Sequence, residues 1–142
     1  MTTNGQAIVI DADAHVVECE RTWDFMDPSE KQFRPMPLQT AENAGVKQQF
    51  WVVDGKVRGL RFPAFSPEAL EQRAKQAGRK FADMDASREM GNVDMRLEHM
   101  DQTGVDVEVL HNTMFIEAVT DRPAVEIALC KSWNRWLGDI WQ

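Results

Sequence analysis

The sequence predicts an α/β fold that opens as a repeating strand–helix chain, and three observations carry that expectation. A short apolar run, Ile8-Val9-Ile10, leads into Asp11-Ala12-Asp13-Ala14-His15 as a first strand. A second strand, Val105 to His111, follows a helix with only Gly104 between them. An apolar helical stripe comes next, so the order is strand, excursion, helix, strand, helix.

Taken in order, the first strand spans Ala7 to Val17 and reads as buried. Alternate strand residues share a face, which places Val9, Asp11, Asp13 and His15 on one side and Ile8, Ile10, Ala12 and Ala14 on the other. One face thus turns acidic and imidazole-bearing only at its C-terminal end. The inner strands of a parallel barrel look this way where they reach an active-site mouth.

Residues 19–90 read as a long excursion, an inserted lid or hairpin region within one domain of residues 1–142. Pro28, Pro35 and Pro37 break any long element between Glu18 and Thr40, which reads as loop. Phe50 to Val53 and Lys56 to Leu60 flank Asp54-Gly55, a two-residue hairpin signal. Ser66-Pro67-Glu68 supplies a cap, a first-turn proline and an early acid for a helix that Gly78 can stop.

Met90, Val93, Leu97 and Met100 then share one helical face, ended by Gly104. In the second strand Val105, Val107, Val109 and His111 alternate onto one side. Thr120-Asp121-Arg122-Pro123 starts the last helix, whose stripe runs through Val125, Leu129, Trp133, Trp136 or Leu137, and Ile140.

Composition narrows the partners. An apolar fraction of 43% with 27% charged residues is that of a globular chain. The net charge of −7, with sixteen basic residues scattered among twenty-three acidic ones, argues against nucleic acid, whose binding needs clustered cations. No apolar run reaches membrane-spanning length and the first six residues are polar, so no membrane association is expected and the cytoplasm is the expected compartment. Cys19 and Cys130 belong to no metal or redox spacing and read as ordinary thiols.

Asp13 and His15 are the candidate metal ligands. Two residues apart on one strand face, they can converge on a single ion, and a carboxylate with an imidazole suits one divalent metal, zinc first, with manganese or iron as alternatives. The competing reading makes them strand-end polar groups bonded to nearby backbone. His111 ends the second strand on the same rim if the strands are parallel. There it is a candidate catalytic residue for proton transfer, or else a hydrogen-bonded wall. His99 reads as helix surface, Glu18 and Glu20 as solvated loop, and Lys56, Arg58 and Arg61 as charged surface. Trp23 and Phe62, in the excursion, are the expected substrate-binding walls.

The stretch Val9-Ile10-Asp11-Ala12-Asp13-Ala14-His15-Val16-Val17-Glu18 resembles the opening of the amidohydrolase-related family, in the branch of aminocarboxymuconate-semialdehyde decarboxylase and related aromatic-acid decarboxylases. Trp51-Val52-Val53-Asp54-Gly55, the run from Arg96 to Leu110, and Asn134-Arg135-Trp136-Leu137 resemble the same family in the same order.

The resemblance implies a (β/α)8 barrel with a divalent ion at its C-terminal rim. Asp13 stands where most of the superfamily has the first histidine of a His-x-His pair, and His15 stands at the second. An acid at the first position also occurs in this branch. It further implies a later metal-binding histidine, a catalytic histidine and a metal-site aspartate, for which these 142 residues offer no strand. The expected activity is hydrolysis of amide-like C–N bonds in a small aromatic or cyclic substrate, by a subunit that works only in complex. Non-oxidative decarboxylation of an aromatic or related acid, and a non-catalytic stabilising subunit, are the alternatives.

Two strands cannot close a barrel, so a second, larger chain is the expected partner that completes it. The helix carrying Trp133, Trp136 and Trp141 is likewise expected to lack a sheet to cover. If about 500 Å² of that surface were apolar, its burial would be worth on the order of 12 kcal/mol at about 25 cal/mol per Å².

Overall fold

A computed structural model describes residues 7–78 and 84–141. It is mixed α/β, with β1 (Ile10–Val16), β2 (Met36–Gln39), β3 (Val46–Val53), β4 (Lys56–Phe65), α1 (Pro67–Ala77), α2 (Met84–Arg88), α3 (Val93–Thr103), β5 (Val107–Asn112) and α4 (Pro123–Ile140). Short 3₁₀ helices cover Glu20–Phe25, Pro28–Phe33 and Met114–Ile116. β1 pairs with β5 in parallel, and β2, β3 and β4 form a separate antiparallel meander.

Local signals account for most boundaries. Asp54 and Gly55 both adopt positive φ, 51° and 74°, the paired left-handed geometry whose twist suits a two-residue hairpin. The Ser66 hydroxyl accepts the Ala69 amide at the start of α1, and Gly78 stops that helix at φ 65°. The Asn92 side chain caps α3 through the Met95 amide, and Gly104 ends it at φ 71°.

The stretch expected as loop holds two 3₁₀ helices and an edge strand instead. Prolines forbid a long helix there but not short turns, and Pro28 opens the second of them. Pro37 sits in β2, which among the described residues pairs only with β3, so its missing N–H costs no ladder bond on the outer side.

The core is built around tryptophan. Trp23 and Trp51 are both buried and meet edge to face, with ring centroids 5.7 Å apart, beside Val53, Met114, Val125 and Leu129. A second cluster joins Val16, Cys19, Met90 and Trp136. This corrects the expectation for α4. Trp136 is 0% exposed, held against the end of β1, and only Trp141 projects, at 75%. The helix finds its cover on the Glu20–Phe25 turn, where the Ser132 hydroxyl donates to the Thr22 carbonyl at 2.6 Å.

The unburied apolar surface lies elsewhere. Ile8, Val9 and Ile10, read as a buried run, are about half exposed, as are Val107 and Val109. The reason is topological: among the described residues neither outer edge of the β1–β5 pair has a strand beside it. Val93 and Leu97 of α3 are exposed as well, although Met90 just before them is buried.

Candidate functional site

The site grows from an irregularity in β1. Ile10 and Asp11 pair with Val107 and Glu108, whereas Ala14, His15 and Val16 pair with Leu110, His111 and Asn112. Between Asp11 and Ala14, β1 takes three steps while β5 takes two, which is a bulge. An extra residue reverses strand alternation, so Asp11 falls on the side of Glu108 and Leu110, away from His15. This corrects the simple alternation that grouped Asp11 with Asp13 and His15. Asp11 serves the bulge itself: its Oδ1 accepts the Asp13 amide at 3.0 Å.

The two sides of the strand pair then differ sharply. Ala14 and Val16 point to the covered side, where Val16 and Leu110 pack with Trp136. His15 shares the open side with Ile10, Val107, Val109 and His111 by register. Here His15 Nε2 lies 3.5 Å from Asp13 Oδ1. The His15 Nδ1 atom lies 2.8 Å from the Asn112 carbonyl oxygen, which can only accept. Nδ1 therefore carries a proton, and Nε2 is the ring nitrogen turned toward the carboxylate.

Those two atoms fit a metal. Ligands about 2.0–2.1 Å from a tetrahedral ion stand roughly 3.4 Å apart, close to the separation found here. Among the described residues no group of three or more ligating side chains assembles, so this is a pair of donors and not a full coordination shell.

His111 stands directly across from His15, with ring centroids 6.0 Å apart. Its Nε2 donates to the Ala12 carbonyl at 3.2 Å. Its ring is exposed on the open side of the sheet.

Two buried charged groups brace this rim, Glu18 and Arg96, and the first was expected as solvated loop. Glu18, expected in solvent, is 1% exposed. Its carboxylate accepts the amides of Thr113 at 3.2 Å and Met114 at 3.0 Å, and the Trp133 indole N–H at 3.1 Å. Burial raises its pKa to about 6 against the lowering effect of those bonds. Arg96, on α3, donates Nε to Glu108 at 2.7 Å and Nη2 to the His15 carbonyl at 3.2 Å. One signal for Arg96 exists in the sequence: it lies three residues after Val93 and four before Met100, so it interrupts an apolar helix face.

Other expectations fare unevenly. Trp23, expected as a pocket wall, is 0% exposed and belongs to the core, because Trp51 and α4 close over it. Phe62 lies in β4, but its side chain falls outside the described residues. Arg61 is not free surface; it is buried, stacked 4.4 Å over the Trp51 ring and paired with Glu20 and Glu89. Glu20 is correspondingly tied down. His99 is exposed on α3, and Cys19 and Cys130 are free thiols, the first buried and the second exposed. No helix is long and apolar enough to cross a membrane among the described residues.

No family model matches this chain, and no curated protein matches it.

Proposed function

We propose that this chain contributes the first two ligands, Asp13 and His15, of the divalent-metal centre of a hydrolase acting on amide-like C–N bonds in a small aromatic or cyclic substrate. The carrying observation is the Asp13–His15 pair, with Nδ1 donating to the Asn112 carbonyl and Nε2 lying 3.5 Å from the carboxylate, at the C-terminal end of a parallel strand. Active sites of β/α barrels gather at that end. The open side and free edges of the β1–β5 pair support the second half of the reading, in which further strands complete a barrel. We take those strands to belong to a second, larger chain that also supplies the missing ligands.

A bound divalent ion would supply Lewis acidity and an activated water at neutral pH. The chain's own residues have narrower tasks. Asp13 offers negative charge to the ion, and Asn112 keeps the His15 lone pair turned toward it. His111, with Nε2 donating to Ala12, keeps Nδ1 available to receive a proton at the open side of the sheet. Arg61 is committed to Glu20 and Glu89, so it serves the fold and is not assigned to a substrate carboxylate.

The test is to purify the chain from its source, weigh the assembly and measure its metal. A complex with a larger chain and about one divalent ion per pair, emptied by Asp13→Ala with His15→Ala, is the expected result. A metal-free monomer sinks the reading, and so does metal that survives both substitutions.

A further inference from the structure

The Asn112 carbonyl faces His15 Nδ1 from the very end of a strand, where its direction has to be held. β5 ends at Asn112, and the next two residues turn away from the sheet into the Met114–Ile116 turn. A strand end that peels off is free to rotate its last peptide unless something fixes it. Three bonds do so here. The Thr113 hydroxyl donates to the Val16 carbonyl at 2.7 Å. The Thr113 and Met114 amides both donate to Glu18, one to each carboxylate oxygen.

Glu18 lies three residues beyond His15 on the same chain, so it ties the end of β5 back to the end of β1. The Thr113 amide nitrogen belongs to the same planar peptide as the Asn112 carbonyl. Fixing the direction of one fixes the other, and the Asn112 oxygen is the atom 2.8 Å from His15 Nδ1.

We propose that Glu18 is a positioning residue, which grips the Thr113 and Met114 amides so that the Asn112 carbonyl faces His15 Nδ1 and holds His15 in the Nδ1–H form with Nε2 free. The consequence for an ion rests on the proposed metal site; the tautomer does not. No uncharged side chain of this length replaces it fully. Glutamine has one oxygen and an NH₂ group, and the NH₂ group would confront an amide donor.

The test is long-range ¹H–¹⁵N NMR of the histidine rings in the full 142-residue chain, under mildly alkaline conditions where imidazole is neutral. The expected result is a single Nδ1–H form of His15 in the wild type and a shift toward the Nε2–H form in Glu18→Gln. His111, held through Nε2 by Ala12, should keep its own form in both. An unchanged His15 tautomer in Glu18→Gln overturns the proposal. A change matched at His111 also overturns it, because that marks a general loosening of the rim.

Should Glu18→Gln fail to fold, the wild type still decides. Couplings across the hydrogen bonds from the Thr113 and Met114 amides to the Glu18 carboxyl carbon support the assignment, and their absence overturns it. Zinc titration separates the two readings. A roughly tenfold or greater loss of affinity in Glu18→Gln supports both. A wild-type chain that shows the tautomer and its dependence on Glu18, yet binds no zinc with its partner present, upholds Glu18 while removing the metal site.

Discussion

Arg96 on α3 and Glu108 on β5 meet at 2.7 Å with their side chains only 10% and 13% exposed. The same guanidinium reaches the His15 carbonyl at 3.2 Å, so one residue fastens the helix to both parallel strands at the level of the candidate ligand. A pair so placed has left most of its water behind and depends on its partner for solvation.

Arg96→Met keeps much of the stem but leaves the Glu108 carboxylate buried without its cation. The expected loss is about 3 kcal/mol of folding stability, read from urea unfolding. Arg96→Met with Glu108→Met should regain much of that loss, because an apolar pair needs no counter-charge. Additive losses in the double variant would mean that the two residues act independently.

Glu18 sets a pH dependence of unusual sign for a carboxylate. Its pKa rises from 4.5 to about 6 on folding, so between those values the folded chain holds a proton that the unfolded chain has lost. Its contribution to stability therefore falls as pH rises through that window and is level above it. At 1.36 kcal/mol per pH unit the fall is roughly 2 kcal/mol. Unfolding curves for wild type minus Glu18→Gln, taken across this window, should slope downward with pH; an upward slope would contradict the burial-driven shift.

Trp136 carries the packing of α4 on the end of β1. Trp136→Ala should destabilise the chain by about 3 kcal/mol or more, through lost burial and a cavity beside Val16, Cys19 and Met90. Trp141→Ala, at 75% exposure, should change stability by less than about 0.5 kcal/mol. Thermal melts of the two variants side by side would show whether the difference is as large as the burial implies.

The open side of the strand pair gives a test of the proposed barrel. Val109→Lys places a charge amid Ile10 and Val107, which are apolar and about half exposed. The substituted chain should bind less apolar dye and lose the proposed larger partner in sedimentation, with its own fold intact by circular dichroism. A partner retained at wild-type affinity would show that this side of the sheet is not where further strands pack.

The Asp54-Gly55 turn, the α1 cap at Ser66 and the stops at Gly78 and Gly104 were legible in the sequence because each depends on its own residues and those within one turn of chain. The same is true of His15 following Asp13 at a strand end. Its neighbours decided the rest. The bulge that sends Asp11 to the other side of the sheet depends on pairing with β5, nearly a hundred residues away. Trp23 reads alike as a pocket wall or a core residue until Trp51 and α4 close over it. Glu18 reads as a solvated acid until three N–H donors from β5's end and α4 surround it. The sequence alone thus determined where turns, caps and candidate ligands fall along the chain. Tertiary structure decided which charges are buried, which carbonyl faces His15 Nδ1 and which face of β1 stays open, because burial and hydrogen-bond partners are properties of space and not of order along the chain.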